Sequence, residues 1–157
     1  MIMKYLLAIA VVAGPASARP ATLWVSSTFP QRASLPRAFT CDGAEIAPPL
    51  FWSGAPTETR SFAIIVEDVD ADPPRANWVL AVPGNVTAIE GAPDGAIVGL
   101  DWDAPCPPRG RAHHYVFRVF ALDADVAQPE MSALELEDAM RGHVLGHGEL
   151  VAIYQHD

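Results

Sequence analysis

The chain has 157 residues, a formal net charge of −9 and an apolar content of 50%, which suits one globular domain with its own core and argues against a disordered chain. Lys4 is the only lysine, so past that point Schiff-base chemistry, a lysine general base and a P-loop are excluded. So acidic a surface repels nucleic acid and anionic lipid heads, and any bound anion has to be held by locally placed donors.

The first stretch, "MIMKYLLAIAVVAGPASA" over 1–18, carries Lys4, an apolar run from Tyr5 to Ala13, the breaker Gly14-Pro15 and an Ala16-Ser17-Ala18 cleavage motif. That is the pattern of a secretory signal peptide, and its apolar run is too short to span a bilayer. The expected organisation is therefore a signal peptide over 1–18 and one domain over 19–157, in the periplasm or secreted, with no membrane span once the leader is removed. Loss of Lys4 takes the net charge from −9 to −10.

Strand-like runs then recur between turn signals. They are "TLWVSS" (22–27), the continuous apolar run "SFAIIVED" (61–68), "NWVLAVP" (77–83), "YVFRVFALD" (115–123) and "ELVAIYQ" (149–155). A run apolar at every position reads as a strand buried on both faces. One helix is predicted, with Ser132 as its N-cap, Glu135 completing a capping box, and an end near Gly142. Fifteen prolines and eleven glycines favour many turns. With no helix between the central strands, the prediction is a mainly β, antiparallel, sandwich-like fold with one or two accessory helices.

Chemistry concentrates at two places. In "VEDVDADPP" (66–74), Asp68 and Asp70 are two apart, so a persisting strand points both carboxylates to one side, where they need donors between them. The same residues also suit a plain polar turn. In "APCPPRGRAHHYVF" (104–117), His113 and Tyr115 are likewise two apart and share a face, with His114 on the other. Imidazole and phenol donate where carboxylates accept, so the two pairs complement each other around a small anion. Pro105, Pro107 and Pro108 stiffen the rim of such a site.

Other candidates are weaker. His143 and His147 have i, i+4 spacing, but the glycines around them break a helix and no third ligand follows, so His143 is read as interacting with a helix C-terminus. The four tryptophans, Trp24, Trp52, Trp78 and Trp102, read as packing residues. Cys41 and Cys106 sit in turns of an exported chain and are expected to form a disulfide. They lack zinc-ligand spacing, so no metal is expected. No nucleophile elbow, zinc-protease motif or dinucleotide fingerprint is present, so neither an enzyme nor a cofactor is expected.

In order, "CDGAEIAPPLFW", "DVDADPP", "PCPPRGRAHHYVFRVFALD" and "AMRGHVLGHGELVAIY" resemble the bacterial branch of the phosphatidylethanolamine-binding protein family, also called Raf kinase inhibitor-like proteins. The resemblance spans about residues 23 to 154. It implies antiparallel sheets with a few helices and a small preformed pocket for phosphate-like or phosphoethanolamine-like heads. By motif it assigns Asp68, Asp70, His113 and Tyr115 to that pocket, with Pro107 and Gly110 in its loop wall. Asn77 stands where the family usually has a pocket histidine, His114 where it has an arginine, and Ala47 where many bacterial members have serine. Val69 and Asp72 replace two loop prolines. With one titratable donor fewer, phosphate binding is expected to be weaker and less dependent on pH.

The resulting expectation is an exported, non-enzymatic binding protein for a small anion or phospholipid head group. Two alternatives stay open. One is an inhibitor or modulator of a protease or kinase through the pocket rim. The other is a weak hydrolase with His113 as base and Asp68 orienting it.

Overall fold

Two sheets pack face to face, and a helix covers the outer face of the larger one. The computed structural model describes residues 19–156, and the expected signal peptide lies outside them. In chain order the strands are β1 (Ala21–Thr22), β2 (Trp24–Ser26), β3 (Ala33–Ser34), β4 (Leu50–Ser53), β5 (Ser61–Asp68), β6 (Arg75–Pro83), β7 (Ala88–Ile89), β8 (Ile97–Leu100), β9 (Ala112–Leu122) and β10 (Val144–Gln155). A 3₁₀ turn covers Arg37–Phe39, and one α-helix, α1, covers Ala133–Ala139. The large sheet runs β1-β10-β9-β5-β6-β8, with β3 also on β10, and a second sheet runs β2-β4-β7. The fold is mainly β, as the sequence predicts.

The apolar run of β5 is central because both of its faces are covered. Phe62, Ile64 and Val66 point into the space between the sheets, where they meet Leu50, Trp52, Trp78, Phe117 and Val119. Ala63 and Ile65 point the other way and pack under α1 against Leu136 and Met140. Each such large side chain removed from water contributes about 2–3 kcal/mol. The helix starts where predicted: the Ser132 hydroxyl accepts from Glu135 N, and the Glu135 carboxylate accepts from Ser132 N. Arg118 on β9 fastens α1 to the sheet through Glu137 at 3.2 Å and also pairs with Glu67.

The stretch after α1 departs from the prediction. The helix stops at Ala139, Gly142 turns the chain with φ 81°, and β10 begins at Val144. Gly148 is required there by close approach, because a Cβ would sit 2.2 Å from the Leu23 carbonyl oxygen. His143 and His147 therefore lie on a turn and a strand. His143 Nδ1 is 2.7 Å from Asp123 Oδ1, and the His147 ring stacks on Phe120. The reading of His143 as a partner of a helix C-terminus is corrected: its partner is a carboxylate.

Trp52 and Trp78 are core and Trp102 packs against it, but Trp24 is 75% exposed. The packing role therefore holds for three of the four.

Candidate functional site around Asp68 and His113

Three neighbouring strands end together. Asp68 closes β5, opposite Tyr115 on β9 and Arg75 on β6. Inward alternation along β9 puts His113, Tyr115 and Phe117 on the buried face and His114 on the other, as the spacing predicts. His113 thus lies one strand step past Tyr115, beside Asp68.

The pair is tight and dry. His113 Nδ1 is 2.9 Å from Asp68 Oδ1 and 2.8 Å from Oδ2. The two side chains are only 4% and 8% exposed. Asp68 Oδ1 also accepts from the backbone N–H groups of Asp70 and Ala71, at 3.1 Å each. Tyr115 is buried, and its phenol pKa is raised, first by that burial and then by the Asp68 carboxylate beside it. The other nitrogen of the imidazole, His113 Nε2, is buried and has no hydrogen-bond partner among the described residues. A buried polar atom left unpaired costs stability, so this nitrogen is open to a water or a ligand.

Asn77 sits at an irregularity in the β5–β6 ladder, between the pairs Val66–Trp78 and Glu67–Ala76. Such bulges re-aim a side chain. The Asn77 amide nitrogen donates to the Asp103 carbonyl at 2.8 Å, and Asp103 N returns a bond to the Asn77 carbonyl at 2.8 Å. That fixes the amide orientation and leaves Asn77 Oδ1 buried, with no partner among the described residues. Asn77 thereby offers an acceptor at this position. Arg75 pairs with Asp103, so β6 and the 101–104 segment are tied at two points.

Asp70 is not brought to this cluster. Strand β5 ends at Asp68, the chain bends, and period-two alternation no longer applies. Asp70 Oδ2 accepts instead from His114 N at 2.7 Å and lies 2.6 Å from His114 Nδ1, on the exposed side. Those contacts, the side-chain one first, hold the Asp70 carboxyl below its ordinary range against a small burial penalty. Asp70 closes the loop over the strand end and does not face Asp68.

The loop wall is anchored. Pro107 is buried, Gly110 turns the chain at φ 79°, and its N–H donates to the His156 carbonyl at 3.1 Å. Cys41 and Cys106 form the expected disulfide, with Cα atoms 5.4 Å apart, and Cys41 N donates to Pro105 O. Asp42, Asp103 and His156 belong to this neighbourhood and carry no sequence signal that singles them out. Clefts of about 480 Å³ and about 290 Å³ open elsewhere on the surface, and neither is lined by Asp68 or His113.

Asp68 fixes the His113 ring and Nε2 meets no hydroxyl or thiol among the described residues. An imidazole oriented by a carboxylate can hold a ligand at its other nitrogen.

The sequence matches the family described as phosphatidylethanolamine-binding protein over residues 25–155. The chain belongs to that family. It is 38% identical to a UPF0098 protein of Methanothermobacter thermautotrophicus, over 81% of this chain and 94% of the relative. A crystal structure of a putative family homolog from Chlamydia trachomatis superposes with a TM-score of 0.79 at 30% identity, covering 87% of this chain and 99% of the other. Escherichia coli YbcL, presented as a new member of the mammalian family, superposes with a TM-score of 0.77 at 25% identity, covering 87% and 100%. Membership makes this a binding protein of that general kind.

Proposed function

We propose that the protein is an exported binding protein that holds a small phosphate-like anion, free or as a phosphoethanolamine-type head group, against His113. The observation that carries this reading is the buried, unpartnered His113 Nε2, whose ring is fixed from the opposite side by Asp68. With Nδ1–H given to the carboxylate, Nε2 donates only as imidazolium. Asn77 Oδ1, also buried and without a partner among the described residues, accepts a hydrogen bond from a P–OH group of a free phosphate or from the ammonium of a head group. Pro107 and Gly110 form the wall, Tyr115 backs the carboxylate, and Asp70 pins the loop. The leader over 1–18 supports export to the periplasm or beyond.

The test is an NMR titration with phosphoethanolamine, with His113→Ala alongside. The reading expects saturable shifts centred on Asp68, Asn77, His113 and Tyr115 that vanish in the variant. Absence of shifts at millimolar ligand would reject it.

A further inference from the structure

We propose that Cys41, Cys106 and His156 form a second site, for a thiophilic divalent ion such as Zn²⁺, which exists only when the disulfide is reduced. Their ligand atoms all lie within 4.8 Å of one another. Cys106 Sγ is 3.8 Å from His156 Nδ1. Tetrahedral zinc with bonds of about 2.3 Å to sulfur and about 2.0 Å to nitrogen places its ligand atoms roughly 3.5–3.8 Å apart. The imidazole already has that separation from one sulfur. The second sulfur reaches it by rotating away from the first, because the Cα atoms, 5.4 Å apart, are as close as two cysteines on one ion need.

The remaining imidazole nitrogen is accounted for as well. His156 Nε2 lies 3.3 Å from Asp42 Oδ1, while Asp42 Oδ2 accepts from the Tyr154 hydroxyl. A carboxylate behind a histidine fixes its tautomer and aims the other nitrogen at a metal. A structural disulfide needs no imidazole beside it and no carboxylate behind that imidazole. Here both are present and the His156 side chain is only 17% exposed, so the ring is held in place.

The chemistry balances. A dithiol reductant supplies two electrons and two protons, breaks the S–S bond and leaves as its own disulfide. The two thiols then lose two protons on binding M²⁺, and two thiolates cancel the charge of the ion. Cys106 is exposed and Cys41 half-buried, so water completes the fourth position. Disulfide and metal exclude each other. Each ties the 105–110 segment to the 41–42 segment.

The experiment is an anaerobic Co²⁺ titration of the purified chain, before and after reduction with a phosphine. The proposal expects thiolate-to-cobalt charge-transfer absorption only in the reduced protein, saturating at one ion per chain and displaced by Zn²⁺. His156→Ala and Asp42→Asn should each weaken binding about 10-fold or more, with the oxidised proteins folded as wild type. Unchanged affinity in His156→Ala would overturn it. So would a reduced chain without saturable binding, including one that loses its near-ultraviolet dichroism on reduction and does not recover it with cobalt.

Discussion

Asp68 and His113, 45 residues apart in sequence, meet at 2.8 Å inside the protein, and the imidazole nitrogen away from the carboxylate has no partner among the described residues. The relationship follows from strand order. β5 and β9 are hydrogen-bonded neighbours whose register puts Asp68 opposite Tyr115, and one more inward position along β9 is His113.

Removing one partner should be costly. Asp68→Ala strands a buried imidazole nitrogen and two backbone N–H groups, and should lower stability by about 3 kcal/mol. Asp68→Asn keeps acceptor and shape and should lose less. Urea midpoints of the two variants against wild type check the order. Equal midpoints would mean the pair contributes nothing.

Beside Tyr154, whose pKa is also raised by burial and then by its contact with Asp42, Tyr115 contributes to the alkaline limit. An ordinary tyrosine titrates near 10.0, and burial followed by the Asp68 charge raises this one. Above that pH the unfolded chain has lost a proton that the folded chain keeps, so this contribution is whole below pH 10.0 and falls as pH rises further. Denaturation at a series of pH values from neutral to strongly alkaline should show that fall, and Tyr115→Phe should flatten it.

How much of this was legible in the sequence depends on whether a residue lies inside a strand. The apolar run of β5 and the alternation of β9 fixed the inward faces, so His113 and Tyr115 read correctly from spacing alone. Asp70 did not, because the strand stops two residues before it and the chain then bends toward His114. The glycines of "RGHVLGHGE" read as helix breakers, whereas Gly148 admits the Leu23 backbone beside a strand. His156 and Asp42 meet only because β10 ends next to the turn after Phe39, which no local pattern records.

The disulfide should matter to stability. It closes a separation of 65 residues. Loop-closure entropy for a ring of that length is worth about 4 kcal/mol in the unfolded-state picture. Cys41→Ser/Cys106→Ser should therefore unfold at markedly lower urea than the oxidised parent, which a midpoint comparison without reductant measures.

Asn77 should shape anion choice. Its Oδ1 is a buried acceptor, so an anion bearing a proton satisfies it and one without repels it. Phosphate near neutral pH should bind roughly 10-fold tighter than sulfate, and Asn77→His should erase that preference while making phosphate affinity vary more with pH. Calorimetric titrations with the two anions decide it.

The central claim is that His113 Nε2 receives the ligand. The most direct measurement is the ¹⁵N shift of that nitrogen on titration with phosphoethanolamine at several pH values. The account predicts a saturable change in the Nε2 shift as phosphoethanolamine is added. A nitrogen whose shift is the same with and without ligand would contradict it.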